Sequence, residues 1–230
     1  MRGEWLQVRS RPYHDGVRRI GAAIIALVLL VPTQEVNAVA VKAIDAVGNL
    51  VVKGRAPKTG YARSQFGQAW ADVDKNGCDT RNDILKRDLT NVVYKTGTCV
   101  VLSGTLKDPY SGDVINFVRG VSTSSLVQID HVVALSDAWQ KGAFMLSLAD
   151  RTALANDPLN LLAVKGSLNS QKGDGDAATW LPPLKSYRCE YVSRQIAVKR
   201  KYKLWVTSAE RDAFVWILSK CPDQELVGTK

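Results

Sequence analysis

The spacing of apolar and polar residues predicts a helix and a small antiparallel sheet in the first half of the chain. Apolar residues recur at helical spacing over residues 81–89. Strand-like runs follow over residues 92–94 and 99–106. A turn at residues 108–112 then leads into residues 114–118, whose alternation predicts the returning strand of a hairpin.

A strand, an insertion, a second strand and a helix are predicted, in that order, in the middle of the chain. Residues 125–129 are β-prone and lead directly into Asp130 and His131, which therefore fall at a strand end. Residues 159–164 form a short apolar run typical of a buried strand. A turn at Lys165-Gly166 is expected to follow it, and a helix is expected to begin near residue 167.

Further helices are predicted in the insertion and at the C-terminal end. Ser136 can cap a short helical segment, and Ser147 with Asp150 three residues later resembles a capping box. Residues 190–202 and 208–220 are expected to form two helices that support the rest of the domain.

The first forty residues have the layout of a signal peptide. Arginines precede a short apolar run over residues 20–31, whereas a membrane-spanning helix needs about 20 apolar residues. We therefore expect residues 1–40 to be a signal peptide, with an uncleaved signal anchor as the alternative. Residues 41–60 are expected to be an extended segment or linker, residues 61–222 the folded domain and residues 223–230 a C-terminal tail.

Composition and charge narrow the class of protein without naming its function. The chain is 46% hydrophobic and 23% charged, which is typical of a globular protein and argues against a disordered one. Its net charge of +9 falls only to +7 when residues 1–40 are removed. A positive field of this size favours a polyanionic partner such as nucleic acid, although anionic membranes or cell-wall polymers would be attracted equally.

The four cysteines predict disulfide bonds. None of them forms a C-x-x-C pair, and the first forty residues predict export, so two disulfides are expected rather than a zinc site. Three pairings are possible. The favoured pairing joins Cys78 to Cys99 and Cys189 to Cys221, because each bond then closes a loop within one half of the chain.

His131 is the only histidine outside the predicted leader, which contains His14. This excludes zinc sites built from several histidines, and no G-x-S-x-G sequence accompanies His131 to suggest a serine hydrolase. Asp130 directly precedes His131 and offers the oxygen ligand that magnesium prefers. Taken singly, these residues are also compatible with an ordinary polar strand end.

Two segments together resemble the His-Asn-His endonucleases: QIDHVVALSDAW and NDPLNLLAVKGSLNSQKGD. They are similar in particular to exported relatives of the C-terminal domain of GmrSD-type restriction endonucleases. The resemblance runs from about residue 61 to residue 221 and includes AWADVDKNGCDTRNDIL, DPYSG and WLPP. It implies an α+β fold in which a ββα-metal (His-Me finger) nuclease core is embedded in a single larger, disulfide-containing domain.

The resemblance also implies a role for each residue of the motif. Asp130 and Asn169 would be the protein ligands of a divalent metal, and His131 would be the general base. Asn160 would orient the active-site loop, and Lys172 would contact the phosphate. Asp and Asn stand at the first and last positions, where many relatives have His, so Mg²⁺ is expected, with Mn²⁺ as the alternative.

Other basic residues are candidates for nucleic-acid binding. Arg81 is expected to contact phosphate because its segment is part of the resemblance. The basic stretch that includes Lys199, Arg200 and Lys201 is a candidate backbone-binding patch, with a solvated helix face as the alternative.

Asp72, Asp74 and Asn76 resemble the start of a calcium-binding loop, yet the later positions of that motif differ. A structural Ca²⁺ site is therefore weighed against an Asx-rich turn that positions Cys78.

The function expected from these observations is metal-dependent hydrolysis of nucleic acid outside the cell. DNA is expected as the substrate rather than RNA, with little sequence specificity. A monomer without a small-molecule cofactor is expected, in contact with a membrane only if the leader is uncleaved. Two alternatives stay open. One is a non-catalytic binding protein for nucleic acid or an anionic cell-surface polymer, and the other is a restriction-type enzyme for modified DNA.

Overall fold

The computed structural model of the protein describes residues 41–228 and shows an α+β fold. The predicted signal peptide lies outside the described residues. None of the helices within residues 41–228 is long and apolar enough to cross a membrane. The helices are α1 Ala43–Val47, α2 Thr80–Asp88, α3 Leu135–Gln140, α4 Leu148–Asn156, α5 Gly166–Lys172, α6 Arg188–Lys201 and α7 Ser208–Leu218. The strands are β1 Leu89–Tyr94, β2 Val101–Lys107, β3 Val114–Val118, β4 Val127–His131 and β5 Leu161–Lys165.

The first half of the domain forms the predicted helix and antiparallel sheet. The side chain of Asp79 accepts a hydrogen bond from the backbone N–H of Asn82, which caps the start of α2. Strands β1, β2 and β3 pair antiparallel in sequence order. Their inward-facing apolar residues pack with α2 and with one face of the β4–β5 pair.

Strands β4 and β5 form a separate antiparallel pair, with Val127 opposite Lys165 and His131 opposite Leu161. Residues 161–164 are all buried because each face of this pair is covered, one by α2 and the first sheet, the other by α6. The prediction of a turn at Lys165-Gly166 was wrong, because α5 follows β5 directly. The order is therefore strand, insertion, strand and helix.

Gly166 allows α5 to start at this point. A Cβ atom on Gly166 would lie 2.0 Å from the carbonyl oxygen of Ser125, which is closer than any side chain tolerates. The helix therefore packs directly against the short 3₁₀ turn at Ser124–Leu126, and the residues of α5 are placed beside β4.

The insertion between β4 and β5 contains α3 and α4. Ser147 caps α4 as predicted, because its hydroxyl accepts a hydrogen bond from the backbone N–H of Asp150. The prediction that Ser136 caps α3 was wrong. Ser136 lies inside α3. The N-cap residue of α3 is Ala134, whose side chain cannot make a capping hydrogen bond.

The structure differs from the prediction of an extended segment or linker over residues 41–60. Helix α1 lies in this range, and its buried side chains pack with those of α6 and α7. Val41 accepts a backbone hydrogen bond from Leu226, which is buried in the same core although it lies in the predicted tail. The two ends of the described range thus belong to the folded domain.

Six charged side chains meet in a buried cluster that links α3, α6, α7 and the segments around them: Arg55, Asp137, Lys141, Asp176, Lys199 and Glu210. Lys141 contacts all three carboxylates at 2.6–2.7 Å and is fully buried. Three positive and three negative groups compensate one another. Removal of a single member would leave an unpaired buried charge, which is strongly destabilising.

Both disulfide bonds have the favoured pairing. Cys78 is bonded to Cys99, and Cys189 is bonded to Cys221. The first bond joins the loop before α2 to the loop before β2. The second joins the start of α6 to the segment after α7, so each bond lies within one half of the chain.

Candidate active site

Asp130, His131 and Asn169 line one polar cavity of about 200 Å³. Asp130 and His131 lie at the end of β4, and Asn169 lies on α5, which packs against β4. Arg63 and Asp174 line the same cavity. Residues far apart in sequence therefore meet in one cavity.

The hydrogen bond of His131 fixes which ring nitrogen can accept a proton. Its Nε2 lies 2.8 Å from the carbonyl oxygen of Ala155. A carbonyl can only accept, so Nε2 carries the proton and the lone pair is on Nδ1. No described residue makes a hydrogen bond to Nδ1. Burial lowers the pKa of His131 to about 4, and the nearby cations Arg63 and Lys172 add to this shift, so the ring is neutral at neutral pH.

The carboxylate of Asp130 is buried between two donors. Its Oδ2 accepts from the hydroxyl of Tyr110 at 2.5 Å, and its Oδ1 accepts from the ammonium group of Lys172 at 3.0 Å. Burial raises the pKa of Asp130 above its ordinary value, although both donors oppose the shift. Burial also raises the pKa of Tyr110, which keeps its hydroxyl protonated as a donor.

Lys172 is itself buried and donates to the backbone carbonyl of His131 at 2.9 Å as well as to Asp130. Its ammonium group is therefore part of the support of the site. The sequence prediction placed it against the phosphate of the substrate. The structure does not favour that contact, because the side chain is 0% exposed and holds two protein partners.

Asn169 lines the cavity, and one polar atom of its amide group has no protein partner in the described part of the chain. Its Nδ2 donates to Oε1 of Gln128 at 2.9 Å, which leaves Oδ1 without a partner among residues 41–228. The oxygens of Asn169 and Asp130 fit in kind a hard cation such as Mg²⁺, which retains several water ligands and binds substrate phosphate. Only one of these two is acidic. The described residues contain no group of three or more His, Cys, Asp or Glu side chains able to hold a metal.

Asn160 links the two strands of the site to the insertion. Its Oδ1 accepts from the backbone N–H of Val133 at 2.8 Å. Its Nδ2 lies 3.3 Å from the carbonyl oxygens of both Val133 and Leu154. These are the bonds that an orienting residue would make, because they hold the loop that directly follows His131.

The other predicted contact residues do not line the polar cavity. Arg81 lies half-buried on α2, with its guanidinium 5.9 Å from the centre of the Phe117 ring. Lys199 is fully buried in the charged cluster, so its prediction as a surface contact is corrected. Arg200 and Lys201 are exposed, and Lys201 forms an ion pair with Asp157 at 2.7 Å.

The loop of Asp72, Asp74 and Asn76 is organised by its own hydrogen bonds. The carboxylate of Asp72 accepts from the backbone N–H groups of Asn76 and Gly77, and Oδ1 of Asn76 accepts from that of Cys78. These are the contacts of an Asx-rich turn that positions Cys78 in its disulfide.

Two residues of the site were missed by sequence reasoning. Tyr110 lies in the turn DPYSG, which was quoted for the resemblance, but its sequence position gives no hint that it reaches Asp130. Arg63 lies in the short 3₁₀ helix Arg63–Phe66, outside both motif segments. It has no hydrogen-bond or ion-pair partner among residues 41–228, and only the tertiary structure brings it to His131.

Known proteins resemble this chain in sequence. A sequence model of the C-terminal domain of GmrSD restriction endonucleases matches residues 79–216, which is more than half of the chain. The chain belongs to this family. A relative in Arthroderma benhamiae, described as an uncharacterized secreted protein, is 40% identical over 177 residues, covering 76% of this chain and 82% of the relative. No solved structure matches this family member.

Proposed function

We propose that this protein is an exported, metal-dependent endonuclease of the His-Asn-His, ββα-metal type, which hydrolyses DNA phosphodiester bonds with little sequence specificity. The family membership supports a nuclease. The antiparallel pair β4–β5, followed at once by α5, supports the ββα form of the site.

The observation that carries the proposal is the hydrogen bond from Nε2 of His131 to the carbonyl of Ala155. It leaves Nδ1 of a neutral imidazole available in the cavity that Asp130 and Asn169 also line. A general base requires a free lone pair and a group that holds the ring in place. The Ala155 carbonyl is such a group, and the Trp70 ring lies nearly parallel to the imidazole, 6.2 Å between centres.

The roles of the chain's own residues follow from this geometry. His131 takes the proton from a water molecule that attacks the phosphorus. Asn160 holds the loop after His131, and Lys172 holds the backbone of His131 and the carboxylate of Asp130. Asp130 and Asn169 would hold the metal ion, Mg²⁺ or Mn²⁺, which when bound supplies charge stabilisation at the phosphate and the leaving oxygen.

Export is supported by several independent observations. The two disulfides are typical of an oxidising compartment, and the relative in Arthroderma benhamiae is described as secreted. The predicted signal peptide is compatible with both. The basic net charge favours association with nucleic acid once the protein is outside the cell.

Cleavage of plasmid DNA and of single-stranded RNA by the purified, oxidised protein tests the proposal. Each substrate is incubated with magnesium, with manganese and with EDTA, beside a His131→Ala variant. We expect DNA cleavage that needs the metal and is lost in the variant. Full metal-dependent cleavage by the His131→Ala variant would show that His131 is not the general base. Binding without cleavage of either substrate would favour a non-catalytic binding protein.

A further inference from the structure

Two partly exposed arginines, Arg81 and Arg119, lie where α2 begins and β3 ends, and neither lines the polar cavity. The guanidinium of Arg119 is fixed by neutral acceptors. Its Nη2 donates to Oδ1 of Asn82 at 2.7 Å, and its Nε donates to the carbonyl of Val101 at 2.6 Å. The guanidinium of Arg81, the neighbour of Asn82, lies 5.9 Å from the centre of the Phe117 ring. The first turn of α2 therefore carries both cations.

Neither arginine has an acidic partner. Among residues 41–228, Arg81 makes no hydrogen bond or ion pair, and Arg119 donates only to the two neutral oxygens. Asp79 lies near Arg81, but both of its carboxylate oxygens accept hydrogen bonds from Asn82 at 2.8 Å. Burial and the charge of Arg119 lower the pKa of Arg81, yet an arginine stays charged in proteins. Two like charges in a partly buried position are unfavourable unless an anion binds beside them.

A set of contacts leads from this arginine pair to the proposed site of hydrolysis. Thr80, which precedes Arg81, donates its backbone N–H to the carbonyl of Trp70 at 3.3 Å and its hydroxyl to the carbonyl of Ala71. The ring of Trp70 lies nearly parallel to that of His131, with 6.2 Å between the ring centres. A nucleic-acid strand with one phosphate at His131 would bring further phosphates past this part of the surface, because each nucleotide adds only about 3.4 Å along the helix axis.

We propose that Arg81 and Arg119 together bind one backbone phosphate of the nucleic acid, a few nucleotides from the phosphate that is cleaved. This proposal rests on the proposed nuclease function. Guanidinium groups donate pairs of N–H groups to phosphate oxygens, and the phosphate would compensate the two like charges. The resemblance alone predicted a phosphate contact for Arg81. The structure adds Arg119 and places the contact outside the cavity of Asp130 and His131.

A contact of this kind positions the substrate without reading its sequence. Phosphate oxygens are the same at every nucleotide, so the arginine pair would fix where the strand lies relative to His131. It would raise the affinity for any sequence equally, in keeping with the proposed lack of sequence specificity.

The salt dependence of DNA binding tests the contribution of Arg81. Fluorescence anisotropy of a labelled oligonucleotide is measured in EDTA, so that no cleavage occurs. We expect Arg81→Met to bind about tenfold more weakly, and the slope of log affinity against log salt concentration to decrease in magnitude by about one. Arg81→Lys keeps the charge and should keep the slope. Lys86→Met removes an exposed charge from the same helix and should leave the slope unchanged.

Nuclear magnetic resonance of the wild-type protein tests whether the two arginines share one phosphate, without a variant of Arg119 that must fold. The Nε–H signals of Arg81 and Arg119 are followed as a short oligonucleotide is added, again in EDTA. Shifts of both signals with one apparent Kd support the shared site. A shift of one signal alone, or of neither, overturns it.

The other outcomes separate this site from the nuclease function. An unchanged slope in Arg81→Met, or an equal change in Lys86→Met, overturns the proposal, and metal-dependent DNA cleavage by the wild type would still support the nuclease. A reduced slope without any cleavage by the wild type would contradict the nuclease function alone. If Arg81→Met lost binding to phosphatidylglycerol vesicles but not to DNA, the pair would recognise a lipid surface, and the proposal would be wrong.

Discussion

The ammonium group of Lys172 lies 3.0 Å from a carboxylate oxygen of Asp130 and 2.9 Å from the backbone carbonyl of His131. One buried cation therefore joins the two neighbouring residues that the proposed mechanism places at its centre. The sequence motif contains all three residues, but only this contact shows that Lys172 acts within the protein.

Replacement of Lys172 by Met should lower the free energy of unfolding by about 3 kcal/mol or more, because it leaves the carboxylate of Asp130 buried and unpaired. Chemical denaturation of both proteins measures this effect. The salt dependence of DNA binding should not change, since the ammonium group is fully buried. A clear decrease in that dependence would show that Lys172 contacts phosphate after all.

Arg63→Met should weaken DNA binding without loss of stability, because Arg63 is exposed and has no protein partner among residues 41–228. The slope of log affinity against log salt concentration should decrease in magnitude by about one, the effect of one lost phosphate contact. Lys86→Met is the control, since Lys86 is an exposed basic residue on α2 that does not line the polar cavity. An equal change of slope in both variants would show that Arg63 contributes only to the general positive charge of the surface.

Gly166→Ala should displace α5, because the added methyl group would lie 2.0 Å from the carbonyl oxygen of Ser125. We expect the free energy of unfolding to decrease by about 1–3 kcal/mol and kcat to fall as Asn169 moves. The matched control is Gly54→Ala, where a methyl group meets nothing within 4 Å. Near-wild-type activity and stability of Gly166→Ala would mean that the start of α5 is not a constraint on the site.

The buried charged cluster predicts a dependence of stability on acid pH. Although burial opposes it, the contacts of Asp176 with Lys141 and Arg55 lower its pKa to about 2, from an ordinary value of 3.8. The carboxylate of Asp176 therefore binds a proton more readily in the unfolded chain than in the folded protein. The contribution of Asp176 to stability is fully present above about pH 4 and is lost as the pH falls through about 2.

Thermal unfolding of the wild type and of Asp176→Asn between pH 4 and pH 2 measures this contribution. The wild-type melting temperature should fall more steeply with acid than that of the variant, because the variant has no proton to bind at this position. Parallel curves would show that Asp176 does not carry the acid sensitivity.

The local elements could be predicted from the sequence because they depend on neighbouring residues. The hairpin strand Val114–Val118 follows from its alternation, and the capping of α4 follows from the spacing of Ser147 and Asp150. Continuous burial of residues 161–164 also follows from their apolar character. The resemblance of the motif segments indicated Asp130, His131 and Asn169, and the local pattern placed them at a strand end and on a helix.

Contacts between distant segments could not be predicted, because no local pattern encodes them. Residues 41–60 look like a linker in sequence, yet α1 in this range is part of the core because its apolar side chains pack against α6 and α7. Lys199 belongs to a basic run in sequence, yet it is buried because Asp137 and Glu210 compensate its charge.

The sequence by itself determined the class of fold, the two disulfides and the residue types of the candidate site, because these follow from local spacing and from the resemblance. Tertiary structure alone decided which atoms of the site are available. It assigns the proton of His131 to Nε2, gives each oxygen of Asp130 one hydrogen-bond donor and leaves Arg63 and Oδ1 of Asn169 without protein partners among residues 41–228. These properties depend on contacts across the chain, so the function of each side chain is set by its partners in space.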